Sequence, residues 1–431
     1  MDNKMFKRTL LGAAVATAII AAPVTFASTE SAAGDQYVEV LNDFVEGASV
    51  SGIIVSDTRY RSKDTGDGYK AGQDYSDYNV ALNLSSGFHD GWLGADVGGY
   101  FSGSLYNSTG CSEITLCDGW DRSGDSLKMT TAALKFKTGE AVTKVGYIQS
   151  HGIGTVGNVW SFVPGTYRGA SVVAPAGDWT LGYIYADEHS APWWENTTKM
   201  AKDADGNFEG ESAFNNLHSI GANGAIGSVA LNLGLGYASV GAGESNTSYK
   251  FKAALPLFET ASIAYDFYGV SSDTQYDGLG ATHGLTYAQS FDAVTWNSEI
   301  QYASSKNDTA VTPRTVGAYG QNNGTFSLWW NALSDFDQSG QLSWFNKLSY
   351  NFGDGWFVNG GVVVSTLDED VSSYGNEYAF TGDVGYSLQS GALKGSTLKL
   401  HVAQVSRDMN DGSDFAWSDV RFQVFIPYNF L

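Results

Sequence analysis

From Leu342 to Thr366 the chain reads LSWFNKLSYNFGDGWFVNGGVVVST, and its first half alternates Leu342, Trp344, Leu348, Tyr350 and Phe352 with Ser343, Lys347, Ser349 and Asn351. A side-chain period of two belongs to a strand, because successive Cβ atoms point to opposite faces. Gly353-Asp354-Gly355 supplies a tight turn, since glycine takes positive φ at no steric cost. A second strand then runs from Trp356 through Val362 and Val364. The same one-sided pattern recurs along the chain: Tyr78, Val80, Leu82 and Leu84, then Leu93, Ala95, Val97 and Phe101; later Tyr249, Phe251, Ala253 and Leu255, and near the end Val420, Phe422, Val424 and Ile426.

Between these segments, long polar connections alternate with very short ones. The long ones cover 60–76, 106–125, 150–165, 188–216, 306–341 and 407–416; the short ones include 89–91, 138–141, 175–178, 224–228, 291–293, 353–355 and 390–395. Outer-membrane barrels have this asymmetry, with short periplasmic turns and long extracellular loops. The pattern predicts an all-β chain: a transmembrane antiparallel up-and-down β-barrel of about 18 strands, an even number that leaves both termini in the periplasm. Parity keeps 317–333, with Leu328, Trp329 and Trp330, in a loop. An open sheet of so many strands would leave an exposed edge, which closure removes. Aromatics near strand ends, among them Trp92, Trp179, Tyr350, Phe352, Trp356, Phe425 and Tyr428, suit an interfacial girdle.

Composition narrows the class. Of 431 residues, 52 are Gly, 7 Pro and 2 Cys, and 14% are aromatic, which suits many short strands and turns. A formal net charge of −22 argues against nucleic acid as a partner. Residues 1–27 read as a secretory signal peptide: Lys4, Lys7 and Arg8 precede an apolar core from Leu10 to Ala22, and Thr25-Phe26-Ala27 offers a cleavage site. Residues 28–47 form a polar periplasmic lead-in, and 48–431 the barrel. In an exported protein, Cys111 and Cys117, bracketing SEITL, read as a disulfide stapling a surface loop.

Three stretches resemble the OprD family of outer-membrane porins, including its chitoporin-like branch. GALKGSTLKLHVA (391–403) followed by SDVRFQVFIPY (418–428) resembles the family's ending. VPGTYRGASV (163–172) is similar to the segment after its third loop, and NALSDFDQSGQLSWFNKLSYNFG (331–353) to the entry of its fourteenth strand. The resemblance implies an 18-stranded barrel, often assembled as a homotrimer, whose pore is narrowed by inward-folded loops and lined by basic residues. It departs from many outer-membrane proteins in ending Asn429-Phe430-Leu431 rather than on the aromatic residue that the barrel assembly machinery reads. The candidate third loop, QSHGIGTVGNVWSFVPGT, has no carboxylate.

Opposite-parity positions face the lumen. They give Lys135, Lys137, Lys347, Lys399, His401 and Arg421 as pore-lining candidates, with Arg168 just after the third loop. A lipid-facing Lys or Arg at the membrane midplane costs about 2–4 kcal/mol, so energy agrees with parity. These residues either form a cationic track for small hydrophilic solutes (organic anions, amino acids or oligosaccharides) or pair with lumen acids such as Asp96, Asp266, Glu299 and Asp383 to brace the barrel. His151, Trp160 and Phe162 fall in the constriction loop, where an aromatic ring meets a passing sugar or packs against the wall. KDADGNFEGE (202–211) departs from a calcium loop at Phe208 and Phe214, and reads as a solvated loop beside lipopolysaccharide.

Six scattered histidines, with no HExxH and no GxSxG elbow, give an enzyme no motif to build on, and no cofactor or metal is called for. The reading is passive diffusion through an outer-membrane pore; the alternative is a structural or adhesive barrel with a closed lumen and partner-binding loops.

Overall fold

The computed structural model describes residues 43–64, 72–108, 117–118, 121–122, 126–157, 165–190, 197–199, 214–240, 245–311, 332, 334–368 and 372–429. Eighteen long antiparallel strands carry the fold. In the first half these are β1 (Ser49–Asp64), β2 (Gln73–Ser85), β3 (Leu93–Asn107), β4 (Ser126–Thr138), β5 (Ala141–Ile148), β6 (Thr166–Ala176), β7 (Trp179–Ser190), β8 (Phe214–Ile226) and β9 (Val229–Val240). The second half comprises β10 (Ser245–Phe258), β11 (Ala261–Ser272), β12 (Gly278–Phe291), β13 (Val294–Ser304), β14 (Leu342–Asn351), β15 (Trp356–Thr366), β16 (Tyr374–Ser387), β17 (Thr397–Met409) and β18 (Asp414–Asn429). Each pairs with the next, and β18 returns to β1 with Ile54 opposite Ile426. Closure therefore pairs every strand on both sides, which is what hydrocarbon demands of a backbone.

Several hairpins on one rim need only two residues, and there Gly139, Gly177 and Gly227 take φ of 60°, 63° and 59°. That left-handed conformation fits the strand twist and is unstrained for glycine. β13 is joined directly to β14 in the sheet, so 305–341 contributes no strand among the described residues. Leu328, Trp329 and Trp330 lie outside those residues. The first strand runs on to Asp64, into the stretch 60–76 that the pattern assigned to a polar connection. Sixteen residues at about 3.3 Å each overshoot an apolar band of about 25 Å. Once started, the backbone ladder continues into water regardless of side-chain polarity.

The alternating rows separate as expected. Leu348 is 58% exposed on the outer wall, while Ser343 on the same strand is 0% exposed on the inner face. Two outward polar side chains on β13 and β14, Ser298 and Asn346, are directly opposed. Each accepts an indole N–H from the neighbouring strand, Trp344 to Ser298 at 3.0 Å and Trp296 to Asn346 at 3.2 Å. The clasp satisfies four polar groups that lipid could not. Phe425 does not join the girdle: it opposes Val55, which is buried on the inner face, so its parity is inward.

Ahead of β1, residues 43–45 form one helical turn that docks on the β2–β3 connection. Phe44 packs with Val50 and Leu84, Gly87 N–H donates to the Phe44 carbonyl at 2.8 Å, and His89 Nδ1 lies 2.9 Å from Asp43 Oδ2. His89 and the Asp90 amide hold the Asp43 carboxyl below its usual range.

Candidate functional site

Inward parity gathers the charged residues of many strands on the inner wall. Lys135 and Lys137 of β4, Lys347 of β14, Lys399 and His401 of β17 and Arg421 of β18 all occupy inward positions, alternating with the exposed Leu134, Leu348, Leu400 and Val420. Arg168 does not. It opposes Tyr147, which shares the outward face of β5 with the exposed Val145, and a bulge in β7 opposite Arg168 and Gly169 shifts the ladder by one residue. Its guanidinium pairs with Asp187 at 2.8 Å and Glu188 at 2.8 Å at the loop end of β6 and β7. β6 itself alternates without a break, Tyr167 and Ser171 facing inward and Arg168 outward.

The inner wall organises its charge in a repeated unit: one carboxylate between two cations. Asp96 lies 3.1 Å from Lys135 and 2.6 Å from Lys144. Asp419 takes the Nε–H of Arg59 at 2.6 Å on one oxygen and that of Arg421 at 2.7 Å on the other. Asp383 is 2.9 Å from His401 Nδ1 and 3.7 Å from Lys399, and Lys347 lies within electrostatic reach of both Asp383 and Lys399. Asp266 pairs with Lys252 at 3.2 Å, with Lys250 beside them. Carboxylates that bridge strands brace the barrel, and around Asp96 and Asp419 two basic side chains share one carboxylate.

Parity reading missed Arg59, Lys144, Lys250 and Lys252. The signal was present for the last two, which alternate with the outward Tyr249 and Phe251.

Two connections fold inward. The third loop runs over the inner faces of β7 to β10. There Thr155 N–H donates to Ser219 Oγ at 2.8 Å, the Thr155 hydroxyl to the same oxygen at 3.1 Å, and Ser248 Oγ donates to Thr155 Oγ1 at 2.9 Å. Lys250 Nζ reaches the Gly152 carbonyl at 3.2 Å, and the Tyr167 hydroxyl donates to the Gly157 carbonyl at 2.5 Å. Ile153 and Val156 are buried beneath. His151 lies on this wall, 3.2 Å from the Tyr183 carbonyl, and burial lowers its pKa, with Lys144 and Lys250 acting in the same direction.

The connection between β13 and β14 fills the neighbouring sector. Val311, Ala332 and Phe336 pack with Tyr268, Phe345, Val363, Ala379 and Val405 from the inner faces of β11 and β14 to β17. Gln301 Nε2 donates to the Phe336 carbonyl at 2.9 Å, and Gln341 Nε2 to Glu377 at 3.0 Å. With these sectors covered, the Arg59–Asp419–Arg421 and Asp96–Lys135–Lys144 units belong to the remaining wall. Trp160, Phe162 and Cys111 lie outside the described residues. Cys117 begins a two-residue ladder with Asp121–Arg122.

No family model matches the chain. Chitoporin of Escherichia coli (strain K12) is 27% identical over 446 residues, covering 89% of this chain and 92% of its own length. Among solved structures, OpdK of Pseudomonas aeruginosa with vanillate aligns with a TM-score of 0.68 at 17% identity, over 89% of this chain and 99% of that one. OccK9 (OpdG) of the same organism gives 0.69 at 16%, over 89% and 100%. OccAB3 of Acinetobacter baumannii gives 0.68 at 14%, over 88% and 99%. At such identities the structures speak for the fold, and chitoporin adds similarity of sequence across the whole barrel. A closed barrel of 18 strands with inward-folded loops and a charged inner wall, sharing its fold and length with these proteins, is a porin of the Gram-negative outer membrane that resembles the OprD family.

Proposed function

We propose that this porin favours small organic anions and uncharged sugars over cations, with Lys135, Lys137, Lys347, Lys399, His401 and Arg421 lining the path alongside Lys144, Lys250 and Lys252, and Arg59 buried behind Asp419. The observation that carries the reading is the set of carboxylates each shared by two lysines or arginines, at Asp96, Asp419 and Asp266, with Asp383 near Lys399 and Lys347. A pore lined by excess positive charge lowers the barrier for anions and raises it for cations. Residues 149–157 of the third loop contain no carboxylate to oppose this field. Chitoporin and the vanillate-bound neighbour make chitooligosaccharides and aromatic carboxylates the first solutes to test. Liposome swelling with organic acids, basic amino acids and oligosaccharides is the direct experiment: acids and sugars should enter faster than basic amino acids of similar size. The reverse order opposes the reading.

The same proposal includes cleavage of the signal peptide after Ala27, delivery by the barrel assembly machinery, contacts with lipopolysaccharide, assembly as a homotrimer, a Cys111–Cys117 disulfide, and transport without catalysis.

A further inference from the structure

We infer that four inward glycines, Gly182, Gly221, Gly234 and Gly236, form a seat in the barrel wall that fixes how far the third loop projects into the pore, and thereby set its conductance. Gly182 of β7 is directly opposite Gly221 of β8, which is directly opposite Gly234 of β9. The three make one level row across adjacent strands, and the next position along it is Lys250 of β10. The loop lies in this row at backbone contact. A Cβ on Gly221 would overlap the Gly154 amide nitrogen, and one on Gly234 would stand 2.7 Å from the Gly154 carbonyl carbon. On Gly182 it would meet His151 Cε1 and Ile153 Cβ, each at 2.6 Å; on Gly236 it would overlap the hydroxyls of Thr155 and Ser248. Gly154, at φ 94°, adopts a backbone conformation suited to glycine. Glycine inside a strand weakens it and commonly marks close approach by another backbone. Here it does so in three neighbouring strands at one height.

At the ends of this row polar groups fix the loop's position. Ser219 and Ser248 hold Thr155 from β8 and β10, and Lys250 closes the row on the Gly152 carbonyl. Because the wall on the far side of the row is sheet backbone, an added Cβ can be accommodated only by moving the loop toward the pore axis. Ordinary van der Waals separation requires a shift of about 1 Å.

The inference rests on the porin function and not on the preference for anions, so the two fail separately. Gly221→Ala and Gly234→Ala, in the full-length protein reconstituted in planar bilayers, should lower single-channel conductance about twofold, since conduction follows pore width. Their reversal potential reports the charge of the wall independently. Gly360→Ala serves as the control: Gly360 lies on the outer wall, with open space where a Cβ would stand. Folding is checked by heat-modifiable electrophoretic mobility. Parent conductance in folded Gly221→Ala and Gly234→Ala would overturn the seat. Should the alanine variants fail to fold, Ser219→Ala with Ser248→Ala removes the hydroxyls without adding bulk. This pair should make the open current noisier, with sub-levels; a parent-like trace would equally overturn the inference.

Discussion

Asp419→Asn tests whether the carboxylates of the inner wall hold it together. Asp419 is 1% exposed as a side chain, and its partners Arg59 and Arg421 are 0% and 6% exposed. Asparagine keeps the shape and one acceptor oxygen but removes a negative charge that two buried guanidiniums share. Removing one partner of a buried ion pair costs about 3–5 kcal/mol, mostly because an uncompensated charge is left behind. With two cations sharing this carboxylate, the loss should fall in the upper part of that range. The measurement is denaturant unfolding in lipid vesicles, read by tryptophan fluorescence, with a lowered midpoint at unchanged slope. In the same variant the pore gains positive character, so its anion preference should rise. A loss below about 1 kcal/mol, typical of a solvent-exposed pair, together with unaltered selectivity, would refute the reasoning.

Lys347→Gln with Arg421→Gln should move the reversal potential toward cations, and an unmoved potential would count against a cationic wall. Burial holds the His151 imidazole below its ordinary range, so the folded protein keeps it neutral where the unfolded chain, near about 6.5, begins to bind a proton. The contribution of His151 is therefore complete above that value and declines as pH falls through it; His151→Gln should flatten the fall in thermal midpoint between neutral and mildly acidic pH. At the barrel seam, the Tyr428 hydroxyl reaches across Gly52 of β1 to donate to the Ala81 carbonyl of β2. Tyr428→Phe should cost about 1 kcal/mol, and Gly52→Val more, because its side chain would occupy the space of the ring. The proposed Cys111–Cys117 disulfide predicts no maleimide labelling before reduction and labelling at both residues after it.

The barrel was legible because its chemistry is written in a period of two. Leu342, Trp344 and Leu348 against Ser343 and Lys347 fix the two faces of β14, and Gly353–Gly355 its hairpin, without reference to any other strand. Parity also carries Lys347, Lys399 and Arg421 inward. Arg168 lies outward by the same alternation, because its neighbours Tyr167 and Ser171 face inward, and the short apolar pattern of β6 did not declare which face was which. What could not be read is the meaning of the polar half. That Asp96 serves both Lys135 and Lys144, or Asp419 both Arg59 and Arg421, depends on register between strands far apart in sequence. The glycine row is less legible still. Gly182, Gly221 and Gly234 look like ordinary strand glycines until closure aligns them and a loop lies across them.

Ion selectivity is where the account commits itself, because the whole chain and its inner wall point in opposite directions. A formal charge of −22 would favour cations if overall charge governed the pore. The paired cations around Asp96, Asp266, Asp383 and Asp419 favour anions. The decisive measurement is the reversal potential of the parent channel across a potassium chloride gradient in a planar bilayer. The account predicts a potential displaced toward that of chloride; a potential displaced toward that of potassium would contradict it.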